Sequence, residues 1–145
     1  MEYKPIKILL VEDNEGDIFL TKEALSEARI KNVTEVVRDG EQAISLLENR
    51  LKKNPDELPD LIILDINLPK KNGHEVLMHL KKNKGLTHVP IIILSTSFSD
   101  QDVLKAYQEH ANCYIVKPID VFDFMQVVSK IEDFWFNIIK YPKIK

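Results

Sequence analysis

Five short apolar runs divide the chain, and most of them stop abruptly on a polar or charged residue. Ile6 to Val11 carries Ile8, Leu9, Leu10 and Val11 without interruption and ends on Glu12-Asp13-Asn14. Val33 to Val37 is rich in β-branched residues and is followed by the turn pair Asp39-Gly40. Leu61 to Leu64 runs into Asp65. Ile91 to Leu94 opens after Pro90 and ends on Ser95-Thr96-Ser97, and Cys113 to Val116 ends on Lys117-Pro118. Runs of this length and composition predict strands. Their near-continuous apolar character suits strands covered on both faces of a parallel sheet.

Between the strands the apolar period becomes helical. Ile18, Leu20, Ala24, Leu25 and Ala28 follow Gly16-Asp17; Ala43, Ile44, Leu46, Leu47 and Leu51 form a second set; Val76, Leu77 and Leu80 follow Gly73. Ser99-Asp100 caps a fourth helix predicted to run through Ala111, and Asp120 caps a long last helix to about Ile139. Asn54 to Pro59 is a polar loop bounded by prolines. Strands alternating with helices predict an α/β doubly wound parallel sheet, with right-handed crossovers placing helices on both faces.

Composition narrows this picture. At 145 residues the chain predicts a single domain, residues 1–145, with an extended C-terminal helix and no effector domain. A 44% apolar content fills a core, while 30% charged residues and a net charge of -3 suit a soluble, cytoplasmic protein. There is no basic arm or basic helix to suggest nucleic-acid binding, no signal peptide, and no apolar run long enough to span a membrane. The single cysteine, Cys113, excludes an internal disulfide and reads as a small buried hydrophobe.

The chemistry lies at the strand ends. Parallel strands bring their carboxyl ends to one edge, where open α/β sheets bind ligands. Glu12, Asp13 and Asp65 are thereby gathered with Ser95 and Lys117 in one cleft. At about 5 Å and an effective dielectric near 20, each carboxylate pair repels by on the order of 3 kcal/mol. One ammonium group cannot neutralise three anions, whereas a hard divalent cation can. Oxygen donors without histidine suit Mg²⁺ rather than zinc. One acidic strand end is ordinary; four polar strand ends of complementary chemistry are not.

The pattern resembles the receiver domain of two-component response regulators. The matching residues are Glu12-Asp13, Asp65, Leu68-Pro69, Asn72-Gly73, Ser95 and Lys117-Pro118, and the resemblance spans nearly the whole chain. Val11-Glu12-Asp13-Asn14 and Ser95-Thr96-Ser97 look most like small stand-alone regulators paired with bacterial phytochrome-type kinases. The resemblance implies a flavodoxin-like (βα)5 fold with strand order 2-1-3-4-5. It implies that Asp65 is the phosphoacceptor, receiving a phosphoryl group from a sensor histidine kinase. Asp13, Asp65 and the backbone carbonyl of Asn67 would bind Mg²⁺, and Glu12 would act through water. Lys117 would pair with Asp65 and then with the phosphoryl group, Ser95 would hydrogen-bond that group, and Tyr114 would be the switch aromatic. The Lys117-Pro118 bond is expected to be cis. Glu12 stands where Asp is commoner, and Thr96 where a smaller residue is usual, so Thr96 is expected to restrict water and tune the phosphoryl lifetime.

Two other function classes compete. A phosphatase working through an aspartyl phosphate would want a second Asp two residues after the nucleophile; Asn67 there cannot transfer a proton, which also favours a longer-lived product. A flavodoxin-like ligand-binding module would need a phosphate-cradling loop after the first strand, where Glu12-Asp13-Asn14 would instead repel phosphate. His74, His79, His88 and His110 read as solvated surface residues, and Lys70-Lys71 and Lys81-Lys82 as solvated faces. In the last helix Phe124, Val127, Val128, Ile131, Trp135 and Ile138 form a core stripe. Phe122, Met125 and Phe136 point elsewhere and suggest a partner surface, for a homodimer, a downstream target or a phosphorelay protein. Loose packing of the tail is the alternative.

Overall fold

The computed structural model describes residues 5–29, 31–96, 99–109, 111 and 113–117, together with helical positions 122, 123, 125–127, 129, 130 and 133. Ser97, His110, Pro118 with its expected cis bond, Asp120, Phe124, Val128, Ile131, Trp135, Phe136 and Ile138 lie outside the described residues.

The strands are β1 (Ile6–Val11), β2 (Asn32–Val37), β3 (Leu61–Leu64), β4 (Ile91–Ser95) and β5 (Cys113–Val116). They form one five-stranded sheet in the order β2-β1-β3-β4-β5, all pairs parallel. Between them run α1 (Glu15–Ser26), α2 (Gly40–Lys53), α3 (Gly73–Lys82) and α4 (Asp100–Gln108). The uninterrupted apolar runs follow from this architecture. Successive strand residues face opposite sides, and each side has its own core. Leu9, Val11, Ile62, Leu64, Ile91 and Ile93 meet Ala43 and Leu47 of α2, Val76, Leu77 and Leu80 of α3 and Ala106 of α4. Ile8, Leu10, Leu61, Ile63, Ile92 and Leu94 meet Ile18, Ala24 and Leu25 of α1 and Val127. Edge strand β2 alternates exposed and partly buried positions instead.

Each of α1 to α4 starts on a side-chain cap that satisfies otherwise unpaired N–H groups. Asn14, Asp39 and Ser99 accept from Asp17, Gln42 and Asp102. Asn72 and Glu75 form a reciprocal capping box at α3. Asp39-Gly40, read from sequence as a turn, is therefore the start of α2. The fourth helix is shorter than predicted. Glu109 N–H donates to Lys105 O at 2.9 Å and Ala111 N–H to Ala106 O at 3.0 Å, which closes the helix at Gln108 and releases the chain into β5.

Three surface assignments are corrected by the packing. His74 is buried between α3 and α4, its Nδ1 2.8 Å from Glu109 Oε1 and its Nε2 3.1 Å from Asp102 Oδ1. Lys81 is not a solvated side chain: its Nζ donates to the carbonyls of Thr87 and Val89, tying down the turn after α3, and burial lowers its pKa. Met125 is half-buried against the core on the α1 side, because its position on the helix turns it toward the sheet; Phe122 is 68% exposed.

Two glycines bring the β3–α3 connection close to its neighbours. A Cβ on Gly73 would lie 2.4 Å from the backbone oxygen of Asp65, and one on Gly40 would lie 2.0 Å from the backbone oxygen of Lys71. Backbone atoms cannot rotate aside as a side chain does. Gly73→Ala is therefore expected to push the Asp65 loop outward and to destabilise the fold by about 1–3 kcal/mol, measurable by denaturant unfolding. A wild-type midpoint would show that the loop yields without cost.

Candidate metal and phosphoryl site

The carboxyl ends of β1, β3, β4 and β5 converge as the strand register requires. Val11 is aligned with Leu64, Leu64 with Ile93, and Ser95 with Val116. The next residues extend this lateral pairing: Asp65 N–H donates to Val11 O at 3.1 Å, and Lys117 N–H to Ser95 O at 2.7 Å. Glu12, Asp65, Ser95 and Lys117 are all buried, whereas Asp13 is exposed at the mouth. One carboxylate oxygen from each of Glu12, Asp13 and Asp65 lies within 4.8 Å of the other two. That spacing suits a hard divalent cation bound by oxygen donors with water completing its shell, so the residues present fit the Mg²⁺ expected from sequence.

Lys117 is the electrostatic centre of the cleft. Its Nζ lies 3.1 Å from Asp65 Oδ2 and 2.7 Å from Asp17 Oδ2, and it is also ion-paired with Glu12. Burial pulls the ammonium pKa down, but hydrogen bonds to Asp17 and Glu12 and the charge of Asp65 more than reverse this, so Lys117 stays protonated beyond the ordinary lysine range. Glu12 shifts the other way. Burial, joined by repulsion from Asp65, outweighs its contacts with Lys117 and Asn14 N–H and pushes its carboxyl up to about 7.

Residues around this centre shape access. Asn67 is exposed, and its N–H donates to Asp65 Oδ1 at 3.2 Å, which brings its backbone close to the cleft. Thr96 is exposed directly after the wholly buried Ser95. Tyr114 is half-buried against the core on the α3 side, and its N–H donates to Tyr107 Oη at 3.3 Å. Sequence reasoning missed two features. Asp17 joins the carboxylates about Lys117; its only signal is a spacing of four from Asp13, one helical turn into α1. The His74 bridge has no local signal, since its acids arrive from another helix.

The raised Glu12 carboxyl carries a pH dependence. A group whose pKa rises on folding, here from 4.5 to about 7, stabilises the fold fully below the lower value and loses that contribution as pH rises through the upper one. Metal-free protein is expected to lose on the order of 3 kcal/mol from this group between those limits. Glu12→Gln should flatten that fall, and Mg²⁺ should offset it by neutralising the charged site. Thermal unfolding across pH, with and without Mg²⁺, checks both; a wild-type curve that Mg²⁺ leaves unmoved would contradict the metal assignment.

The comparisons with known proteins agree with this geometry. The family model described as response regulator receiver domain matches residues 8–129. Response regulator Rcp1 of Synechocystis sp. is 38% identical over 138 residues, covering 95% of this chain and 94% of that protein. The probable methanogenesis regulatory protein FilR2 of Methanothrix harundinacea is 37% identical over 139 residues, covering 95% and 88%. Among solved structures, that of the phosphorylated cyanobacterial phytochrome response regulator RcpA superposes with a TM-score of 0.86 at 40% identity, covering 97% of this chain and 100% of that one. That of the Mn²⁺-bound form of Rcp1 gives 0.84 at 38% identity, covering 96% and 100%. Phosphatase and flavodoxin-like ligand binder are set aside accordingly. The chain belongs to the response regulator receiver domain family.

Proposed function

We propose that this chain accepts a phosphoryl group on Asp65 from a sensor histidine kinase in a Mg²⁺-dependent reaction, and that the phosphorylated form signals by contact. The observation that carries this reading is the Asp65 carboxylate itself. It is buried at the tip of β3, hydrogen-bonded by Lys117 and flanked by two further acids at metal-ligand spacing. Glu12, Asp13, Asp65 and the backbone carbonyl of Asn67 are the residues that would hold the cation, directly or through water. When bound, Mg²⁺ supplies positive charge against the phosphoryl oxygens.

An Asp65 oxygen attacks phosphorus as the P–N bond to the kinase histidine breaks, and the leaving imidazole nitrogen keeps that electron pair. Positioning and charge neutralisation carry most of such a transfer. Lys117, staying at the cleft, exchanges its hydrogen bond to the Asp65 carboxylate for one to a phosphoryl oxygen, and Ser95 donates its hydroxyl to another. The product adds about two negative charges and strong acceptors to the strand ends, which draws the β4–α4 connection inward, with Tyr114 following. Thr96 at the mouth and Asn67, which cannot act as a general acid, favour slow hydrolysis. The likeness to Rcp1 and RcpA supports a phytochrome-type kinase as donor and a cytoplasmic setting; no helix among the described residues is long and apolar enough to cross a membrane.

Incubation with a small phosphodonor and Mg²⁺ should add the mass of one phosphoryl group, and Asp65→Asn should abolish the gain. In the same assay Thr96→Ala should shorten the phosphoryl lifetime severalfold. Retention of the gain in Asp65→Asn would refute the acceptor assignment, and an unchanged lifetime would remove Thr96 from it.

The output surface is read from the last helix, where Phe122 is exposed while Met125 packs on the core; Phe136, the other aromatic that the sequence assigns to it, lies outside the described residues. Its occupant is a second copy of the chain, a downstream target or a phosphorelay protein. Sedimentation of the phosphorylated wild type and of Phe122→Ser separates these. A mass doubling lost in the variant assigns homodimerisation, and monomer throughout counts against it.

A further inference from the structure

The ammonium group of Lys117 has to stay in place while the carboxylates around it change partners. It has three N–H donors and three carboxylate neighbours, Glu12, Asp17 and Asp65. Glu12 and Asp65 also belong to the acidic cluster whose oxygens lie within 4.8 Å of one another, so a cation bound there draws on the same two groups. Asp17 stands outside that cluster. It approaches from the first turn of α1, and its backbone is fixed on both sides: its N–H donates to Asn14 Oδ1 at 2.9 Å, and its carbonyl accepts from Thr21 Oγ1 at 2.7 Å. Its side chain is 26% exposed, against 3% for that of Lys117. Asp17 thus reaches a closed-in ammonium group from the rim, at 2.7 Å, the shorter of the two distances Lys117 makes to Asp17 and Asp65.

We infer that Asp17 is a positioning residue for Lys117, the anchor that keeps the ammonium group beside the cleft when metal and phosphoryl group claim Glu12 and Asp65. The inference rests on the phosphoryl-acceptor reading above. Without Asp17, the other anionic partners of Lys117 in the cleft are those two metal-site carboxylates, and the ammonium group competes with the cation for both. Loss of the anchor therefore weakens metal binding and misplaces the cation-like charge that the phosphoryl group needs. A distant negative charge would also favour metal binding, but that effect does not pass through Lys117.

The two origins separate in a double-mutant cycle. Mg²⁺ affinity by calorimetry and the phosphorylation rate constant at saturating Mg²⁺ are measured for wild type, Asp17→Asn, Lys117→Met and the double variant. Asp17→Asn is expected to lower both by roughly tenfold or more, and to lower neither further in the Lys117→Met background. Asp17→Glu, which keeps the charge, should recover part of the loss. An equal loss of Mg²⁺ affinity in both backgrounds would reduce Asp17 to bare charge and overturn the proposal, as would no loss in the wild-type background. If the wild type takes up no phosphoryl group, the acceptor reading fails by itself, while the Mg²⁺ cycle still decides the role of Asp17.

Discussion

One buried ammonium group holds together carboxylates that would otherwise drive the sheet edge apart. Glu12 and Asp65 sit on adjacent strands with almost no access to water. Charges so placed are costly unless paired, and Lys117 reaches both while resting on Asp17. The arrangement is stable yet incomplete, because one positive charge faces more than one negative charge. A site in this condition responds strongly to any added charge, whether a cation or a phosphoryl group. Electrostatic imbalance thus makes the site sensitive to what binds there.

The sheet makes this imbalance sustainable. The fully buried strands β3 and β4 and two separate cores fix the strand ends relative to one another. The β3–α3 connection is then clamped by backbone approaches at Gly40 and Gly73 that leave no room for a side chain. Asp65 is therefore presented by a rigid support, and the repulsion among the acids cannot relax by spreading them. On the opposite flank the support is lighter. Strand β5 is only partly covered, and its final residue, Val116, is exposed. Displacement is cheaper on that side, next to Ser95 and Tyr114.

Much of this was legible in the sequence, for identifiable reasons. Buried parallel strands need apolar residues at every position, so Leu61 to Leu64 and Ile91 to Leu94 stood out, and a parallel sheet sends their polar successors to one edge. Helix caps such as Ser99 and the Asn72-Gly73 pair mark their positions locally. What stayed hidden depended on contacts between distant segments. Asp17 gains meaning only when β5 returns Lys117 to the start of α1. His74 is called to the interior by Asp102 and Glu109, which lie on a different helix. Lys81 and Met125 likewise have side chains whose direction is set by a neighbouring turn or sheet, which composition and period do not reveal.

The His74 bridge has a consequence for how this scaffold can be recombined. One imidazole ring between α3 and α4 meets acids from both ends of α4: Asp102 in its first turn and Glu109 at its close. The second carboxylate oxygen of Glu109 is already buried without a partner among the described residues. Transplanting α4 alone into a related receiver lacking that histidine would leave the nearly buried Glu109 carboxylate without its ring partner and take the same partner from the partly exposed Asp102, and the reciprocal graft would strand the ring. The two helices consequently behave as one inheritable cassette. Chimeras of this chain should be cut before Gly73 and after Glu109, with the pair exchanged together.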